Sequence, residues 1–165
     1  MPPRRTDIAA TACALVFVIV LAVSAWWDRS IRVLHVFEAL PYLLAAVLCW
    51  RRSKAGYAIG VVSGAFWLWC AGFLTSFVRN GLERLNVLVR TGTVDRWDIL
   101  ISVPAAAATA GLVLFSLVGY ARARDKSRRD LLLFAIAGVA IPAFFIGIFA
   151  AFAPQFLGMF RRLMT

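Results

Sequence analysis

The chain has one histidine, eight acidic residues and three cysteines, and each scarcity closes off a class of chemistry. A single histidine, His35, cannot supply two axial haem ligands or a histidine-rich metal site. There is no HExxH pair and no phosphate-cradling glycine loop ending in lysine. Aspartyl chemistry inside a membrane wants paired acids, yet Glu38 is the one acid within the apolar segments delimited below. Enzymes that act on lipid head groups generally display several acids or histidines together. Here Asp28, Glu83, Asp95 and Asp98 are scattered singly among arginines and read as caps or surface charge. The cysteines Cys13, Cys49 and Cys70 sit in apolar settings without a CxxC spacing, and so read as small hydrophobes in helix packing. No metal and no cofactor is expected.

Charge of either sign is also scarce. Only 16% of residues are charged and 62% are hydrophobic, against about 25% and about 45–50% in average soluble domains. A soluble domain of 165 residues could not hide so much apolar surface, so lipid must be the solvent for much of the chain. The net charge of +10 is carried by short basic clusters between apolar runs. Such clusters fix orientation and touch anionic lipid, so Arg51–Lys54 and Arg122–Arg129 are expected at anionic head groups, and nucleic acid is not expected as a partner.

Five apolar stretches can be drawn, over 8–27, 31–50, 55–78, 99–120 and 131–153. A helix needs about 20 residues to cross the hydrocarbon core, which predicts an all-α, polytopic bundle of five transmembrane helices in a single domain spanning 1–165. The second stretch carries Arg32, His35 and Glu38 in its first two turns, so the alternative is four spans plus one re-entrant segment. With five spans, ten of the 18 basic residues fall on the side of Arg4, Arg51 and Arg122, and eight on the other. The positive-inside rule then puts the N-terminus in the cytoplasm and the C-terminus outside, in a membrane such as the bacterial inner membrane. The start, with Val23-Ser24-Ala25 after an apolar run, resembles a signal peptide, but the run is long for one and reads as a retained helix.

Local punctuation follows. Asn80-Gly81 is expected to stop the third helix, Asp95 or Asp98 to cap the fourth, and Ser127 with Asp130 to make a capping box before the fifth. Pro41 and Pro142 fall inside spans and are expected to kink them. Leu82, Leu85 and Val89 share a face that suits an interfacial helix, as do Phe156, Leu157 and Phe160 after Pro154.

Two constellations remain. Gly56, Gly60 and Gly64 repeat every four residues and form a flat groove for close helix approach, with a matching row Ala143, Gly147 and Ala151 on the fifth helix and Ala107 and Gly111 on the fourth. The groove serves either packing within one bundle or self-association and a membrane-protein partner. His35, Glu38 and Tyr42 share a face of the second helix as a candidate polar binding cluster. Ionisable groups at membrane depth are costly and need a partner, water or a ligand. The structural reading pairs Glu38 with an arginine, Arg79 lying nearest in expected depth. Trp67 and Trp69 sit mid-span, for packing or for lining a cavity.

The leading functional expectation is a non-catalytic packing or interaction subunit, possibly homo-oligomeric. A small transporter or channel using Glu38 and His35 is the alternative, and a membrane enzyme acting on lipid comes third.

Overall fold

The computed structural model describes residues 2–152 apart from 125, together with 154 and 158. Among these the chain is helical throughout, with seven α-helices: α1 (Arg5–Trp27), α2 (Arg32–Trp50), α3 (Lys54–Trp69), α4 (Phe77–Thr91), α5 (Trp97–Leu100), α6 (Ser102–Ala121) and α7 (Arg128–Phe152). Five stretches are long and apolar enough to cross a membrane, the second being Arg29–Trp50 and the fourth combining α5 with α6. The second is one continuous helix after a 3-10 turn at Arg29–Ile31, as the five-span reading requires. Its far end meets the start of α1, where the Thr11 hydroxyl donates to Ala46 O at 3.1 Å.

The burial pattern explains why these helices associate. In α1 the buried row is Ala10, Ala14, Phe17, Leu21 and Ala25, while Ile8, Leu15, Ile19 and Trp26 face outward. The bundle-facing stripe is mostly small and the outward face is large and aliphatic, the arrangement that close packing in lipid favours. α6 does the same with Ala105, Ala108, Leu112, Ser116 and Gly119. α1 packs on α2 and α6, α3 on α2, α6 and α7, and α7 closes the side of the bundle against α3 and α2.

The glycine row of α3 is filled within this bundle. A Cβ on Gly60 would come within 3.2 Å of Leu112 Cδ1 and fall onto the Ser116 hydroxyl, and one on Gly64 would lie 3.0 Å from Thr109 O. Gly56 meets the backbone of Leu48 and Cys49. The mate of the row is therefore α6 and the end of α2, and the expected row on α7 is turned away. Ala143, Gly147 and Ala151 are exposed, and nothing stands within 4 Å of a Cβ on Gly147.

The third span also ends earlier than its hydropathy suggests. α3 widens into a π-helical turn over Cys70–Leu74, closed by the Thr75 amide donating to Cys70 O at 3.0 Å. The Thr75 hydroxyl donates to Ala71 O and accepts from the Phe77 amide, so the chain breaks at Thr75 and restarts as α4. Asn80-Gly81 is thus not a stop. Gly81 lies inside α4, where its missing side chain lets the helix rest on Ser102. α4 forms where an interfacial helix is expected, but its inward face is Gly81, Leu85 and Leu88, leaving Leu82 and Val89 exposed. It ends on Gly92, whose φ of +70° suits glycine. The stretch over Phe156, Leu157 and Phe160 lies outside the described residues.

At the caps, Asp95 accepts from Arg84 and Asp98 from Arg96, and the residue at the N-cap of α5 is Arg96 itself. The Ser127 amide donates to Asp130 Oδ2 at 2.9 Å, the carboxylate half of the expected capping box. Pro41 and Pro142 both lie within helices that continue on either side of them.

Candidate functional site

The two ends of the bundle are built differently. One end gathers Arg4, the α2–α3 turn, and the α6–α7 turn. There Asp7, fully buried, accepts from the Tyr57 hydroxyl at 2.6 Å and from the Arg4 amide at 2.8 Å, with Arg52 Nε at 3.8 Å. Lys54 pairs with Asp130 at 2.9 Å, and Arg4 donates to Arg122 O at 2.7 Å. Both described acids at this end, Asp7 and Asp130, are enclosed by donors, which describes a clasp rather than a reaction centre.

The opposite end, beneath α4, is hollow. A cavity of about 480 Å³ lies between the last turns of α1, the first turns of α2, the π-helical end of α3 and the starts of α4 and α6. Its walls are mainly apolar, with Phe17, Leu21, Leu34, Trp67, Ala71 and Phe149 among them. The π-helical turn of α3 forms part of its wall, through Cys70, Ala71 and Leu74. Short irregular turns of this kind recur at functional sites. Asp28, exposed at the rim, is held below the usual carboxylate range by hydrogen bonds from the Ser30 hydroxyl and amide.

One wall is polar. His35 Nδ1 lies 2.6 Å from Glu38 Oε2, and His35 Nε2 lies 3.1 Å from Ser24 Oγ. All three residues line the cavity, and Glu38 is only 6% exposed. The i, i+3 spacing stacks His35 over Glu38 on α2, and the antiparallel packing of α1 brings Ser24 to the far ring nitrogen. Compared with protein-family models, with curated proteins and with solved structures, the chain matches none.

The candidate cluster read from the sequence is thus partly assembled. His35 and Glu38 meet, but Tyr42 points elsewhere: it is fully buried and donates to Ser63 O at 3.0 Å, tying α2 to α3 beneath the cavity. The expected arginine partner of Glu38 is replaced by His35, since Arg79 instead faces Glu83 at 3.6 Å on the exposed side of α4. Trp67 both packs edge-on against Phe17, at 5.1 Å, and lines the cavity, whereas Trp69 is 39% exposed on the outside. Cys70 also lines the cavity, while Cys13 and Cys49 pack between helices. Ser24 is the member that sequence reasoning passed over.

Proposed function

We propose that this protein binds a small amphipathic molecule in the cavity beneath α4, with the polar head at Ser24, His35 and Glu38 and the apolar body along Phe17, Leu34 and Trp67. The observation that carries this reading is the placement of an ionisable pair, Glu38 buried and His35 partly so, on the wall of an apolar cavity. A pair kept only for packing is best enclosed by protein, as Asp7 is at the other end. Here the pair borders about 480 Å³ of open space, in a bundle whose small-residue row is otherwise filled. Pockets for small ligands have this character: apolar walls with a few converging polar groups. The reading extends the transporter alternative and moves emphasis away from a bundle that acts by packing alone.

The orientation that best accounts for the basic end is cytoplasmic, which puts the cavity in the opposite leaflet, within reach of a single-chain lipid or similar amphiphile. Cys70 provides the test. In a Cys13→Ser, Cys49→Ser background reconstituted in nanodiscs, Cys70 alkylation by a small membrane-permeant maleimide is followed with and without monoacylglycerol or lysophospholipid. At least one of these amphiphiles is expected to slow alkylation several-fold, and Ala71→Phe, which fills the cavity, to abolish the protection. Equal rates under all conditions would sink the proposal.

A further inference from the structure

The geometry points to Ser24, His35 and Glu38 as an acyl-transfer triad, with Ser24 as nucleophile toward an ester-linked acyl chain held in the cavity. The inference rests on the binding reading above and adds a reaction to it.

The distances carry the argument. A serine hydroxyl 3.1 Å from one ring nitrogen, and a carboxylate 2.6 Å from the other, is the relation that nucleophilic catalysis by serine requires. With the imidazole neutral and its proton on Nδ1, Glu38 accepts that proton's hydrogen bond and fixes the tautomer. Nε2 then accepts from the Ser24 hydroxyl. Other hydroxyls of the helices meet backbone: Thr91 and Thr109 turn back on Val87 O and Ala105 O, and Thr11 and Ser102 reach across to Ala46 O and Phe77 O. Ser24 Oγ meets a side chain, the imidazole of His35 on a different helix, and faces the cavity. A serine serving only helix packing needs neither the imidazole nor the open space.

The chemistry balances without any further reactant than water. Ser24 Oγ attacks the ester carbonyl, a new C–O bond forms, and the hydroxyl proton passes to His35 Nε2. The bond to the leaving alkoxide breaks, and Nε2 returns the proton to it, releasing an alcohol. Water then attacks the acyl-serine, its proton passing to Nε2 and from there to Ser24 Oγ. A carboxylic acid leaves and the free serine is restored. Glu38 acts as a positioning residue throughout. Because Ser24 sits within α1, its own amide belongs to the helix, so a side chain must meet the developing oxyanion. Asn80 of α4 is the amide that lines the same cavity. The apolar walls suit an acyl chain, and the polar wall suits the ester at its end.

An alkyl fluorophosphonate, which captures activated serines, tests this directly. Wild-type protein in nanodiscs is treated with it, and the adduct is located by intact mass and peptide sequencing. The expected result is one adduct, on Ser24, absent in Ser24→Ala and slowed at least about 100-fold in His35→Gln. Glu38→Gln is expected to lower the maximal rate of adduct formation by a larger factor than it raises half-saturation by the probe, a split that simple loss of folding does not give. The wild-type adduct position decides the matter even if a variant fails to fold. An adduct elsewhere, or none while an amphiphile still protects Cys70, overturns the triad and leaves the binding reading standing. Absence of both adduct and Cys70 protection removes the two together.

Discussion

At the scale of single residues, the imidazole of His35, the chain's one histidine, stands between Glu38 at 2.6 Å and Ser24 at 3.1 Å, and the first two draw notice by the rarity of their kinds. Ser24 carries no such signal, since serine is common in apolar helices and its nearness to His35 exists only once α1 and α2 pack antiparallel. Asp7 was hidden for a different reason. It closes a basic leader of the kind that normally stays in water, yet it is fully buried and satisfied by Tyr57. That contact is a source of stability. Tyr57→Phe removes a donor from a buried carboxylate, and hydrogen bonds to charged groups contribute about 1.5–3 kcal/mol. The variant is expected to unfold earlier by that amount in a detergent-based denaturation series, and an unchanged midpoint would mean that Arg4 and Arg52 suffice.

At the scale of elements, hydropathy located all five spans but not the end of the third. The run of apolar residues continues to Val78, while the backbone breaks at Thr75 because its hydroxyl offers Ala71 O and the Phe77 amide local partners. Which small-residue row meets which was equally illegible. Spacing shows that a helix has a groove, not what fills it: small residues on the fourth and fifth spans both suited it, and the groove of α3 takes α6. The two rows now make opposite predictions. Gly60→Leu drives a side chain into Leu112 and Ser116 and is expected to cost at least about 1–3 kcal/mol of overpacking strain. Gly147→Leu meets nothing within 4 Å and is expected to leave thermal stability unaltered. Melting of both variants in the same detergent checks the pair. If Gly147→Leu melts as wild type but changes the oligomer mass, the outward row on α7 is a surface between copies.

At the scale of the whole molecule, the bundle has one end sealed by ion pairs and one end hollow, and charge counting bears on which faces the cytoplasm. The turns carrying Arg51–Lys54 and Arg122–Arg129 lie at the sealed end, and α4 with Arg79–Arg96 at the other. Ser127 is therefore expected to face the cytoplasm and Asn86 the opposite side. Single cysteines at these positions, in a background without the native three, are probed with an impermeant thiol reagent on intact cells; labelling at 127 but not at 86 would reverse the orientation. The sealed end also has a meaning in time. Asp7 belongs to the first helix made, but its closest donor outside the leader, Tyr57, belongs to the third, and Arg52 precedes that helix by a single turn. During synthesis Asp7 therefore has only the Arg4 amide beside it until α2 and the start of α3 have been made, and the clasp is a late-forming contact of the first helix.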